Sequence, residues 1–257
     1  LRRARARTAP ADILPSDGGA HGRSAAAQRG LAPTHLSKCP TALPVSSGIP
    51  DAVRNEMLVA PFNDLAFLRS LLAEYGNEIA GLIVEPLQRI IPPEPGFLEA
   101  VRVECDQYGI VLIFDEVVTG FRFSYGGAQE TYGVTPDLCT LGKVIGGGFP
   151  LAAIVGRKDI MLHFDKSAVG DDEWLMMLGT LSGNPVAAVA GLKTIEVLRR
   201  AGAYDRLIAS GERLLRMVGK HLTAQNITHQ SVDDPTYLDV IFTKQTVRNE
   251  RHVQQSN

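Results

Sequence analysis

Two places in this sequence hold side chains that could do chemistry. The apolar run Ile110-Val-Leu-Ile-Phe114 leads directly into Asp115 and Glu116. A carboxylate at the end of a buried strand needs a partner, because taking an unpaired charge out of water is costly. Lys143 lies between Gly142 and Val144-Ile-Gly-Gly-Gly-Phe-Pro150, with apolar residues and glycines on both sides. Desolvation lowers the pKa of a lysine, and the neutral amine can then attack a carbonyl. The acid pair has three readings: a helix cap or solvated strand end, a Mg²⁺-holding acid of a nucleotide hydrolase, or an acid that keeps a proton on a ring nitrogen. The second needs GxxxxGK[ST] elsewhere. Gly142-Lys143 runs into Val144 and has Asp137 at the first glycine position, while Gly219-Lys220 runs into His221 and has Leu214 there. Neither qualifies. Asp115 and Lys143 together describe a pyridoxal phosphate site, in which the lysine holds the aldehyde as a Schiff base and the aspartate pairs with the pyridinium nitrogen.

Both positions depend on the elements around them. Asn63 and Asp64 can cap a helix carrying Leu65, Leu68, Leu71, Leu72 and Tyr75 at helical spacing and ending near Gly76. The run Ile79 to Val84 reads as a strand, residues 97–108 as a helix stopped by Gly109, and 110–114 as a strand buried on both faces. Residues 138–141 and 151–155 are further strands, residues 185–201 and 203–224 are long helices, and 237–242 is a closing strand. In the second long helix Leu207, Ile208, Leu214, Leu215, Val218 and Leu222 form an apolar stripe. Helices alternating with buried strands predict an α/β fold with a mostly parallel sheet flanked by helices. Ligands of such sheets bind beyond the carboxyl ends of the strands, which singles out Glu85, Gln88, Asp115, Glu116 and Lys143.

Several long motifs occur in order around these residues: Ala60-Pro-Phe-Asn-Asp64, Leu112-Ile-Phe-Asp-Glu-Val-Val-Thr-Gly-Phe-Arg122, Tyr125-Gly-Gly-Ala-Gln-Glu130, Thr140-Leu-Gly-Lys-Val-Ile-Gly-Gly-Gly-Phe-Pro150 and Gly179-Thr-Leu-Ser-Gly-Asn-Pro185. From about Ser46 to about Phe242 the sequence resembles the class III pyridoxal phosphate-dependent aminotransferases, above all glutamate-1-semialdehyde 2,1-aminomutase and its transaminase relatives. The resemblance implies the fold type I of these enzymes and amino transfer through a Lys143 Schiff base, an external aldimine, a quinonoid and a ketimine. It implies cofactor-binding roles for Asp115 at the ring nitrogen, Val117 against a ring face, Gln88 near the ring, and Gly179 with Thr180 at the phosphate of the neighbouring subunit's cofactor. It also implies an amino-acid or amine donor, a keto or aldehyde acceptor, and a cytoplasmic homodimer with shared active sites. Leu87-Gln88-Arg89-Ile90-Ile91 departs from the small-residue sequence of the aminomutases and is similar to that of the transaminases. Intramolecular amino transfer and a non-catalytic fragment are the alternatives.

Composition bounds the rest. The 257 residues carry 26 Lys+Arg against 28 Asp+Glu, a net charge of −2 that offers no field for nucleic acid, and no apolar run is long enough to span a membrane. The six histidines lack metal-ligand spacing, and Cys39, Cys105 and Cys139 form neither a disulfide framework nor a metal site. Residues 1–44 differ from the remainder: seven bases, two acids, ten alanines, five prolines and no aromatic residue. They read as a disordered leader without counterpart in the family and without its phosphate-binding loop. Residues 45–201 read as part of a large cofactor-binding domain and 202–257 as the start of a smaller one, the whole being an interior part of a longer enzyme. Arg122 is a candidate for a substrate carboxylate or a local salt bridge, and Trp174 for the border of the substrate entrance or a loop anchor.

Overall fold

The structure, a computed structural model, describes residues 12–15, 55–88, 91–177, 179–232, 234–244 and 247. Helix α1 (Leu65–Tyr75) begins at Asp64, whose carboxylate accepts the Phe67 N–H at 2.9 Å. The neighbouring Asn63, expected to share the cap, instead fastens another loop: it donates to the Pro92 carbonyl and accepts from the Glu94 N–H. Leu68, Leu71 and Leu72 are the buried face of α1. Helix α2 (Phe97–Tyr108) buries Phe97, Leu98, Val101 and Cys105, and these two faces close one core with Leu82 and Val84 of one strand and Leu112 and Phe114 of the next. Burial of this apolar surface is the main force placing both helices.

A five-stranded sheet runs β1 (Asp12–Pro15), β2 (Ile79–Val84), β3 (Val111–Glu116), β4 (Leu138–Leu141) and β5 (Ala153–Gly156), in that spatial order. The first three pairings are parallel and the last is antiparallel. This is the mostly parallel sheet expected from the sequence, with α1 and α2 packed on it. Several boundaries differ from the sequence reading. Asp12–Pro15, within the expected leader, pair in parallel with β2. The rest of that leader, with Cys39, and the C-terminal residues 248–257 lie outside the described residues. Strand β3 extends through Asp115 and Glu116, so both acids belong to the strand's last pairs. Its faces are unequal: Leu112 and Phe114 are fully buried, Val111 and Ile113 only half-buried. The closing strand shrinks to Val240–Ile241 (β7), paired with Gln230–Ser231 (β6) in a separate two-stranded sheet.

Beyond β3 come the short helices α3 (Gly127–Tyr132), α4 (Lys158–Met161) and α5 (Lys166–Val169), then the long α6 (Pro185–Leu198) and α7 (Ala203–Ala224). Asn184 caps α6 by accepting the N–H groups of Val186 and Ala187, and Pro185 occupies its first turn. Helix α7 has the amphipathic pattern read from the sequence, yet none of its residues is buried. Leu207, Leu214 and Met217 are exposed, while Ile208, Leu215, Val218 and Leu222 of the stripe are half-buried. Val186, Val189 and Leu192 of α6 are likewise 60–69% exposed.

Candidate active site

The end of β3 and the end of β4 form the centre of the site. Asp115 is 8% exposed, and its Oδ1 accepts two donors, the Val117 N–H and the Thr140 hydroxyl, each at 3.1 Å. Asp115 and Thr140 face each other because β3 and β4 pair in that register. Oδ2 accepts no hydrogen bond among the described residues.

Three residues after Thr140, Lys143 opens a 3₁₀ turn (Lys143–Gly146). Its φ is +46°, in the left-handed region that residues with a Cβ seldom adopt. Helix α6 packs directly beneath this turn. A Cβ on Gly191 would collide with the Leu151 side chain and lie 3.0 Å from the Ile145 carbonyl, so only glycine lets the helix come this close. The Lys143 ammonium has its pKa lowered from the usual lysine value. Burial is the largest cause; Arg122 adds to it, and the negative charges of Asp115 and Glu85 oppose it. The lysine, two acids and an arginine thus share one electrostatic neighbourhood. Val117 flanks it: a Cβ on Gly142 would stand 3.2 Å from Val117 Cγ1, so the residue before the lysine and the residue after the Asp-Glu pair are in close approach.

The adjacent acid has another task. Glu116 is 1% exposed, and its Oε2 accepts the Ala128 N–H at 2.6 Å and the Thr119 hydroxyl at 3.1 Å, while Oε1 accepts the Gln129 side-chain amide at 2.9 Å. Burial, joined by the nearby Glu116 charge, pushes the Cys139 thiol up to about 12, so it behaves as a small buried apolar group. Glu116 therefore ties the start of α3 to the strand end.

Gln88 is fully buried, and its backbone exchanges both hydrogen bonds with Ile91. Gly179 and Thr180 are exposed in the loop before α6, and none of their hydrogen bonds among the described residues reaches Asp115 or Lys143. Among the described residues Arg122 forms no salt bridge to a local acid. It donates to the carbonyls of Val118 and Thr236 and lies over the Tyr237 ring, linking the Asp-Glu loop to the segment between β6 and β7. Trp174 is the loop anchor expected, donating to the Phe164 carbonyl and lying under Lys166. The sequence reading missed Thr140 and Asp137. Thr140 is the lone hydroxyl in the four-residue strand LCTL, a usable signal. Asp137 joins Arg102, Arg157 and the Leu112 N–H at the opposite end of β3, a structural knot that only folding brings together. Among the described residues, no group of three or more His, Cys, Asp or Glu side chains could hold a metal, and no helix is long and apolar enough to cross a membrane.

A lone carboxylate oxygen on a buried aspartate and a lysine with a lowered pKa at neighbouring strand ends form a donor and acceptor set suited to pyridoxal phosphate. Comparison with known proteins agrees. The family model for class III aminotransferases matches residues 2–235, which extends the likeness into the segment first read as a leader. The fold is similar to that of an omega-transaminase from Sphaerobacter thermophilus, at 33% identity and a TM-score of 0.83 over 93% of this chain and 55% of that one. A transaminase with pyridoxal phosphate bound is 25% identical, with a TM-score of 0.78 over 93% of this chain and 55% of that one. A glutamate-1-semialdehyde aminomutase from Pseudomonas aeruginosa PAO1 shares the fold at 21% identity and a TM-score of 0.78, over 96% of this chain and 55% of its own. The chain spans about half the length of each of these solved relatives. It belongs to the class III aminotransferases, a family that works with pyridoxal phosphate.

Proposed function

We propose that this chain carries the cofactor-binding centre of an aminotransferase that moves an amino group from an amino-acid or amine donor to a keto or aldehyde acceptor. The observation that carries the reading is the pairing of buried Asp115 with Lys143 at adjacent strand ends, the lysine's pKa lowered by burial. Bound pyridoxal phosphate supplies an aldehyde and an electron-accepting ring that stabilises negative charge at the Cα of the amino substrate. Lys143 Nζ, more readily neutral than an ordinary lysine amine, would be the group that holds the aldehyde. With substrate bound, the same nitrogen would take the Cα proton and return it. Asp115 would hold the proton on the ring nitrogen, and Val117 would line one face of the ring. Gln88 would line the ring region from its buried position. Arg122 adds to burial in lowering the lysine's pKa and joins the Asp-Glu loop to the C-terminal hairpin.

Gly179 and Thr180 would serve the cofactor phosphate of a second subunit, as a backbone N–H and a hydroxyl suit an anion. A homodimer with shared sites is supported by the exposure of Leu175, Met176, Met177, Leu181, Val189 and Leu192 around that loop and along α6, far more apolar surface than isolated exposed residues would give. A cytoplasmic location is supported by the unpaired buried thiols of Cys105 and Cys139. The residues after Glu85-Pro86 favour transfer between two molecules over transfer within one.

The test is spectroscopic and structural at once. The purified chain is incubated with pyridoxal phosphate, freed of excess cofactor and scanned for a retained visible band. Borohydride reduction followed by peptide mass spectrometry should place the cofactor on Lys143, and Lys143→Ala should lose both signals. A chain that retains no band, or is labelled at another lysine, refutes the reading. Sedimentation of the loaded protein reports the dimer.

A further inference from the structure

The carboxylate of Asp115 is held in a way that divides its two oxygens. Oδ1 receives both donors, the Val117 N–H and the Thr140 hydroxyl, each at 3.1 Å, while Oδ2 receives none among the described residues. The terminal torsion of an aspartate is otherwise broad and nearly two-fold, so a single donor leaves the carboxylate free to rock or exchange its oxygens. The Val117 bond is local, spanning two residues of the same loop. The Thr140 bond spans 25 residues and exists only because β3 and β4 pair with Asp115 opposite Thr140. It comes, moreover, from the strand that leads into Lys143. One four-residue strand thereby fixes the lysine's origin and the orientation of the acid across from it.

We propose that Thr140 is a positioning residue for the cofactor's ring nitrogen: by occupying Oδ1 of Asp115 it reserves Oδ2 as the oxygen that meets that nitrogen. This rests on the cofactor reading above. Thr140 acts through Asp115, so its contribution exists only toward a ligand that has a ring nitrogen to meet. A hydroxyl serving merely to satisfy the strand end would affect every ligand of the site alike.

The experiment compares equilibrium binding of two ligands by the apo chain. One is pyridoxal 5′-phosphate and the other its 1-deaza analogue, in which C–H replaces the ring nitrogen. Thr140→Val, close in shape and β-branched, removes the hydroxyl, and Thr140→Ala is the second variant should valine disturb the strand. Pyridoxal phosphate should bind the variants about tenfold more weakly than wild type, the scale of one hydrogen bond to a charged group. The deaza analogue should bind all forms within about twofold, the spread of additive changes at uncoupled sites. Thr140→Ser should restore pyridoxal phosphate binding. An equal loss for both ligands, or no loss for either, overturns the positioning role while leaving the site intact. A wild-type chain that binds neither ligand overturns the cofactor reading and this inference with it.

Discussion

Replacing Glu116 by alanine should destabilise the fold by about 3 kcal/mol, while glutamine should cost about 1 kcal/mol. The side chain is 1% exposed and accepts from the Ala128 N–H, the Thr119 hydroxyl and the Gln129 amide. Ala128 and Thr119 are themselves buried, so truncation leaves two donors without an acceptor and without access to water. Each such donor costs roughly 1–3 kcal/mol, and Gln129, only half-buried, can turn to solvent. Relief of the buried carboxylate's own desolvation offsets part of the sum, which leaves about 3 kcal/mol. Glutamine keeps an oxygen toward Ala128 and Thr119, and Gln129 can rotate its amide to accept from the new one, so only the charge assistance is lost. Urea unfolding of both variants, with slope and midpoint fitted separately, measures the two values. An alanine variant within 1 kcal/mol of wild type would refute the assignment of Glu116 as the anchor of α3. So would a glutamine variant as unstable as alanine, because the geometry would then demand the charge itself.

Asp137 supplies a test against pH. Burial raises its pKa, but donation from Arg157, the Leu112 N–H and Arg102 outweighs that and holds it below the ordinary carboxylate value. A group with a depressed folded-state pKa contributes stability above its unfolded value of about 3.9 and loses it as pH falls through the folded one. The stability gap between wild type and Asp137→Asn should therefore narrow as pH drops from neutrality to below about 4, and a gap constant with pH would contradict the linkage. Lys143 should respond in opposite directions to its neighbours: Asp115→Asn removes a charge that raises its pKa, and Arg122→Met removes one that lowers it. Amine-modification rates followed against pH should shift their midpoint down in the first variant and up in the second; midpoints unchanged in both would show that burial alone is at work. Gly191→Val should push α6 away from the 3₁₀ turn through Leu151 and Ile145 and weaken retention of pyridoxal phosphate while the Glu116 anchor stays intact, as isothermal binding would report.

Much of the site could be read in sequence because hydrophobic runs mark where strands end. The apolar stretch before Asp115 and the short one before Gly142 place an acid and a lysine at adjacent strand ends, and the capping residues Asp64 and Asn184 mark their helices. What escaped was whatever depends on pairing across the sheet. Thr140 faces Asp115 by register, Arg122 reaches a carbonyl 114 residues away, and Glu116 turns toward a helix start 12 residues later. No local pattern encodes those distances. Asp12–Pro15 join the sheet as an edge strand although their surroundings are rich in Ala and Arg, because backbone pairing with β2 requires no particular side chain. The stripe of α7 was legible as a pattern, but a pattern does not say what covers it.

The left-handed backbone at Lys143 has a consequence for how the sequence can vary. Any side chain with a Cβ at φ +46° carries roughly 1–2 kcal/mol that glycine would not. On backbone conformation alone, glycine would be favoured over lysine at 143. A lysine stands at a position whose backbone favours glycine, so, on the proposed role of Lys143, glycine at 143 would mark a copy released from catalysis and kept for its fold.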